Sequence, residues 1–540
     1  MRRGKSKLDK LEKLEAHDYN LCGLCVSAAN LFAFFALLLA GCAVGPDFKR
    51  PEPPAVTRYD HEQTPAQTAA AVGQAQSFDM GAELAEDWWR LFNSAELEAV
   101  VRKALDENRT LQSALLRLRQ SQENLRAGYG VFFPQINGSF SASRQTFSPA
   151  LLGISGQSSS PGLSSLLGQS SSPGLSSLLG QSSLFNLFTL QGTVSYVVDA
   201  FGGERRHVED LQAQVEYWKQ TARAAALTLV SNVVNASIAG AGYGAQIEST
   251  GKIIEFQKKQ LEITENQAKA GTVPYSNVLA IRAQLETTEA ALPQIQKNLS
   301  QSRHLLTALV GQLPEQWAPP TLDLTGFTLP VEIPVGVPSE LTRRRPDILA
   351  AEAQLHSASA NIGAATAALF PSLTLSGSYG QSSTDISKLF APGANVWMLG
   401  SSLTQPIFHG GALWFQRRAA IEAYKASLSD YQQTVAAGFQ QVADCLRALE
   451  FDANAIEVQS ESLATAARNL ELINSNHKAG LVNYLQVLSA NTQCEQARLG
   501  FIQAQAMRLQ DTTALFAALG GGWWGLGGEY YSRSLSAGQR

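Results

Sequence analysis

The sequence predicts a mainly α-helical chain with four β-strands, in which one pattern is written twice. Its strands can close a membrane barrel only together with those of sister chains. Three observations predict this. Two proline-free runs, from Glu204 to Val273 and from Ile407 onward, are far longer than the helices of a globule. Four segments alternate apolar residues with uncharged polar ones. Motifs of the first half recur in the second.

The leader comes first in chain order. Residues 1–20 contain six Lys/Arg and four acids, and residues 21–40 are apolar and uncharged. A basic region followed by an apolar one has the form of a secretory signal. The competing reading is a membrane-spanning helix, for which about 20 apolar residues suffice. Leu39-Ala40-Gly41-Cys42 favours the signal, because it resembles a bacterial lipobox, in which cleavage leaves a lipidated Cys42 at the mature N-terminus. Several acyl chains on one residue hold a protein on a membrane, at about 0.8 kcal/mol per buried CH₂. Ala43 stands where an Asp would favour inner-membrane retention in some bacteria, so the outer membrane is expected. Residues 42–86 then read as a lipidated, extended tether or equatorial segment, rich in Pro, Ala and Gln.

The repeat sets the remaining boundaries. The segment from Asn108 resembles that from Arg344, with Phe133-Pro134 matching Phe370-Pro371. AKAGTVPYSNVL from Ala268 matches HKAGLVNYLQVL from His477, which aligns Gly271 with Gly480 and Tyr275 with Tyr484. Each half reads helix, strand, strand, helix, turn, helix. The first repeat spans 87–313, a Pro-rich linker 314–340 and the second repeat 341–520, with a tail over 521–540. GQSSSPGLSSLL occurs twice in tandem within an insertion at 150–183, where Ser, Gly and Leu predict a loop.

The strands follow Pro134 and Pro371. Ile136, Gly138, Phe140 and Ala142 alternate with Asn137, Ser139, Ser141 and Ser143. Leu373, Leu375, Gly377 and Tyr379 alternate with Ser372, Thr374, Ser376 and Ser378. The return strands align Leu190, Gly192, Val194, Tyr196 and Val198 in one case and Trp397, Leu399, Ser401 and Leu403 in the other. The polar faces carry few charges, which suits a lumen better than bulk water. Four strands cannot close around a hole, and open edges are not tolerated in lipid. Three chains supply twelve strands, enough for a water-filled bore. A water-soluble sheet is the alternative.

The helices come last. Val208, Leu211, Val215, Trp218, Ala222, Ala225, Leu229 and Val233 step by three and four, giving a seam that needs partner helices. Lys269-Ala270-Gly271 and Lys478-Ala479-Gly480 mark reversals, with a cation at the negative helix end and Gly in the left-handed position. Pro293 is expected to kink the first return helix, while the second runs unbroken to about Leu519.

GCAVGPDFKRP, DWWRLFNSAEL, SELTRRRPDILAAEAQL, NIGAATAALFPSLTLSGSYG, QPIFHGG and ALFAALGGGWW together resemble the outer-membrane factor family. These are the TolC-like exit ducts of tripartite efflux and type I secretion. The likeness is strongest to the NodT-type lipoprotein branch paired with resistance-nodulation-division pumps, and covers Cys42 to about Trp524. It implies a homotrimer with a twelve-stranded outer-membrane barrel continuous with a long periplasmic α-helical barrel. It also implies helix-hairpin tips that gate the duct and meet a periplasmic adaptor, and an inner-membrane pump that supplies the energy. The tip residues it points to are Gly271, Tyr275, Gly480, Tyr484, Gln486 and Ser489. Some members carry acids in a V-D-V-L-D pattern where this chain has Gln486 and Ser489. Neutral residues there predict weaker cation selectivity. The alternative is that both merely solvate a hairpin flank.

The remaining composition excludes other classes. Net charge is −4 with 16% charged residues, so no basic surface for nucleic acid is expected. Cys22-x-x-Cys25 lies in the apolar leader without a second ligand pair, and Cys445 and Cys494 are isolated, as small core fillers would be. The seven histidines form no metal spacing, and no G-x-S-x-G elbow or phosphate loop occurs, Gly251-Lys252 lacking the rest of that motif. No catalytic residue, cofactor or metal is expected. The reading is a passive, lipid-anchored duct for drugs or toxic small molecules. A type I protein-secretion duct and a pore-free periplasmic coiled-coil lipoprotein are the rivals.

Overall fold

A computed structural model describes residues 43–61, 65–70, 75–82, 84–85, 87–147 and 183–521. Cys42 and the leader 1–41, nearly all of the 150–183 insertion, and the tail after 521 lie outside the described residues. The elements in order are β1 (Ser77–Met80), a 3₁₀ turn (Trp88–Phe92), α1 (Ala95–Glu107), α2 (Arg109–Gly128), β2 (Gln135–Phe147) and β3 (Ser183–Val198). Then come α3 (Gly203–Lys269), α4 (Tyr275–Val310), β4 (Glu332–Val335), α5 (Pro338–Arg344), α6 (Pro346–Ala367), β5 (Ser372–Ser383), β6 (Asn395–Thr404), α7 (Ala412–Lys478) and α8 (Tyr484–Ala518). The chain forms two compact units. One comprises the described part of Met1–Asp47 with Leu125–Asp210 and Ser359–Glu422, and the other the described parts of Phe48–Asn124, Leu211–Ala358 and Ala423–Arg540.

The first unit holds an antiparallel sheet in the order β2-β3-β5-β6. Its register brings the alternating faces into line. Ile136 lies opposite Val194, Val194 opposite Gly377, and Gly377 opposite Leu399. One row over, Asn137 lies opposite Thr193, Thr193 opposite Ser378, and Ser378 opposite Met398. Opposed residues share a face. The period-two pattern of four separate segments therefore merges into one mostly apolar side, with Arg144, Asn186, Gln381 and Asn395 toward one end, and one largely hydroxyl and amide side.

The second unit contains the core. Trp88 and Phe92 are fully buried, with the Trp88 ring 5.4 Å from Phe516 of α8. Leu97, Val101, Val233, Ile238, Val310, Leu449 and Leu515 join them. Of the predicted seam, Ala222, Leu229 and Val233 are buried here and Leu211, Val215, Trp218 and Ala225 are half-buried, while Val208 is buried in the first unit. Cys494 is buried and Cys445 half-buried against the core, both as free thiols, and burial pushes the Cys445 thiol up to about 11.

Two features differ from the sequence expectation. The segment read as a tether contains β1, which pairs in parallel with β4 of the linker, Ser77 opposite Glu332. Tyr59 donates its hydroxyl to the Gly336 carbonyl at 2.8 Å, and Arg447 meets Asp60 at 2.8 Å. A four-residue strand with a distant parallel partner has too few residues to show a period. Each half also has two helices before its strands where one was expected. The chain turns extended at Asn108 (φ −65°, ψ 124°) and at Arg345 (φ −68°, ψ 124°). At Arg345 the following proline disfavours helix; at Asn108 the side chain accepts the Leu111 N–H at 2.8 Å and restarts it. Pro293 lies inside α4, which runs from Tyr275 to Val310.

Candidate functional site

Two regions concentrate the residues singled out from the sequence: the turns of the two long hairpins, and the polar side of the sheet. At the first turn Gly271 has φ +70°. Its N–H donates to the Ala268 carbonyl, and the Thr272 N–H donates to Gln267, each at 3.0 Å. At the second, Gly480 has φ +73°, with the equivalent bonds to His477 at 3.0 Å and from Leu481 to Asn476 at 2.9 Å. Both pairs of bonds satisfy the last carbonyls of a long helix, and only glycine takes that backbone without strain.

The return helices start differently. Pro274 caps α4 with no side-chain bond, whereas the Asn483 carboxamide oxygen accepts the Gln486 N–H at 3.1 Å. His477 Nδ1 lies 3.0 Å from the Val482 carbonyl oxygen, and its ring is 5.6 Å from that of Tyr484. The first hairpin is tied by Arg282–Glu265 at 2.6 Å and Lys258–Glu289 at 2.8 Å. Tyr275 and Tyr484 are exposed, at 61% and 42%. Gln486 is exposed and Ser489 half-buried. Neither return helix has an acid in its first turn. The sequence flagged the glycines and tyrosines at these turns. It missed the His477 contact, because histidine near a helix end has many uses and only the fold brings it to Val482.

On the sheet, the side formed by Asn137, Ser139, Gln191, Thr193, Ser376, Ser378 and Ser402 has no ionisable residue across the four strands. Thr189 and Ser382 hydroxyls meet across it at 3.1 Å. The opposite side exposes Ile136, Phe140, Tyr379, Trp397, Leu399 and Leu403. Such a sheet, apolar on one side and hydroxylated on the other, suits a wall between lipid and water. Among the described residues no group of three or more His, Cys, Asp or Glu is placed to hold a metal ion.

The profile of the outer membrane efflux protein family matches residues 100–312 and 337–521. The chain belongs to that family. Among curated relatives, the toluene efflux pump outer membrane protein TtgC of Pseudomonas putida is 29% identical over 498 residues, covering 91% of this chain and 95% of the relative. The probable outer membrane lipoprotein SilC of Salmonella typhimurium is 27% identical over 492 residues, covering 90% and 97%. Among solved structures, the outer-membrane channel OprN superposes with a TM-score of 0.74 at 25% identity, over 89% of this chain and all of that one. The protein is accordingly an outer-membrane efflux channel protein. The uncharged side of its sheet is a candidate pore lining, and its hairpin turns are candidate ends of the duct.

Proposed function

We propose that three copies of the chain form one passive exit duct for toxic small molecules. It would be anchored by acyl groups on Cys42 and would receive its cargo from an inner-membrane resistance-nodulation-division pump through a periplasmic adaptor. The observation that carries this reading is the sheet. Its edge strands β2 and β6 each pair on one side alone, with β3 and β5, and among the described residues no strand lies along their outer sides. An unpaired edge costs several kcal/mol per polar group in hydrocarbon, and joining β6 of one chain to β2 of the next removes every edge at twelve strands.

The paired hairpins support a two-fold internal repeat and a helical tunnel. Helices α3 and α7 each run 67 residues, about 100 Å of rod, and each ends in the same glycine turn. Asn108 donates to the Leu309 carbonyl at 2.8 Å and Arg345 to that of Ala518 at 2.7 Å, so the break in each half clasps the end of the return helix of the same half. The domain boundaries given above follow from that repeat. TtgC is named for toluene efflux, which favours organic molecules over secreted protein as cargo.

At the tip, Gly271, Tyr275, Gly480, Tyr484, Gln486 and Ser489 line the aperture, and neutral Gln486 and Ser489 leave it without a carboxylate ring. Deleting the gene should sensitise cells to dyes, detergents and antibiotics while leaving protein export intact. In planar bilayers, Gln486→Asp should shift the reversal potential toward cations. An unshifted potential in a conducting channel removes Gln486 from the aperture.

A further inference from the structure

We infer that Arg206 and three glycines form a clamp that seats the residues after Cys42 against the junction of strand and helix, and that this clamp positions the lipid anchor for trimer assembly. The inference rests on the reading of Cys42 as the acylated residue.

Three successive residues are fixed by close backbone approach. A Cβ on Gly202 (φ +78°) would sit 2.5 Å from the Ala43 Cα. The Val44 N–H donates to the Phe201 carbonyl at 3.0 Å. A Cβ on Gly45 (φ +100°) would sit 2.5 Å from the Gly363 Cα. No side chain fits at Gly202 or Gly45 without displacing the neighbouring backbone.

Arg206 closes the clamp. Its side chain crosses Gly363, where a Cβ would lie 2.7 Å from the arginine Cγ. Nη2 reaches Asp47 at 2.7 Å, Nη1 reaches Glu209 at 2.6 Å, and Nε points to the Val44 carbonyl at 3.4 Å. The side chain of Arg206 is 5% exposed and that of Asp47 is 89% exposed. The fixed, buried half of the pair thus belongs to α3, and the N-terminal segment docks onto it. Burial pulls the arginine's hold on its proton down, but the Asp47 and Glu209 carboxylates more than offset this and raise it.

The clamp sits where strands end. Phe201 follows β3 by three residues and stacks on Phe370 at 4.8 Å, just before β5 begins. Aromatic residues at strand ends mark the headgroup level of a membrane barrel. Cys42 is one peptide, about 3.8 Å, from the clamped Ala43. The acyl chains would therefore enter the leaflet at the foot of β3 and β5, and hold those strand ends at the surface while neighbouring chains pair.

The test compares Arg206→Ala and Gly363→Val, which break the clamp from opposite sides, with Arg206→Lys and wild type. Acylation is read by mass spectrometry, membrane fractionation by blotting, and trimer yield by unheated gel electrophoresis. Both disrupting variants should stay acylated and membrane-bound, with trimer yield down roughly tenfold, and Arg206→Lys should restore part of it. On an unacylated Cys42→Ser chain refolded in detergent, adding Arg206→Ala should cost little further. Wild-type trimer yield in both acylated variants, or an equal loss with and without the acyl group, overturns the inference. If Arg206→Ala loses helix by circular dichroism, the exposed Asp47→Asn decides instead, with a reduced trimer yield expected and an unchanged one contradictory. A wild-type protein with no acyl group would overturn the reading of Cys42 itself, whatever the variants do.

Discussion

Arg508 shows how single residues hold the second unit together. It is 2% exposed, with Nε donating to the Gln76 side chain and Nη2 to Thr68, both at 3.1 Å. It thereby ties α8 to the segment around β1. Nearby, burial, then a hydrogen bond with Asp511, then the Asp511 charge push Asp452 up to about 7, while Arg508 pulls it down. An unfolded Asp452 titrates near its ordinary 3.8. Between those values the folded chain holds a proton that the unfolded chain has lost, so this group's contribution to stability falls as pH rises from about 4 to about 7. Asp452→Asn should flatten that fall, and thermal melts in detergent at pH 5 and pH 8 measure it. An undiminished fall in the variant would remove Asp452 as its source. None of this was legible in the sequence, because Asp452, Asp511, Arg508, Gln76 and Thr68 meet only in the fold. Asp47, one more unremarkable surface acid, was equally silent about Arg206.

Among the elements, length and periodicity spoke plainly. The absence of proline after Ile407 anticipated α7, which begins at Ala412, and α8 stops at Ala518, one residue short of the expected limit. The strands were legible because a face that meets lipid and a face that meets water leave opposite residues at alternate positions. The Asn108 break and the β1–β4 pair were not legible, since one is a single capping side chain and the other eight residues in all. Both hairpin turns rest on a left-handed glycine. Gly480→Ala should cost about 1–2 kcal/mol locally and speed hydrogen exchange in the last turn of α7. The same substitution at Gly271 should be milder in effect on exchange, because Arg282–Glu265 still ties that hairpin. Equal protection in wild type and Gly480→Ala would mean that the turn tolerates another geometry.

On the scale of the whole molecule, the sheet makes a demand that one chain cannot meet. Its apolar side exposes Trp397 at 74% and Leu399 at 82%, and among the described residues the outer sides of its two edge strands carry no further strand. In water those features would drive aggregation. On the proposed reading, lipid satisfies the apolar side and copies of the same sheet would cover the edges. The Ser, Thr, Asn and Gln side would line the resulting bore without fixed charge, which suits a route that discriminates little among the molecules a pump delivers. The most direct test is native mass spectrometry of the detergent-extracted protein: three chains per particle are predicted, and a folded particle containing a single chain would contradict a barrel shared between copies.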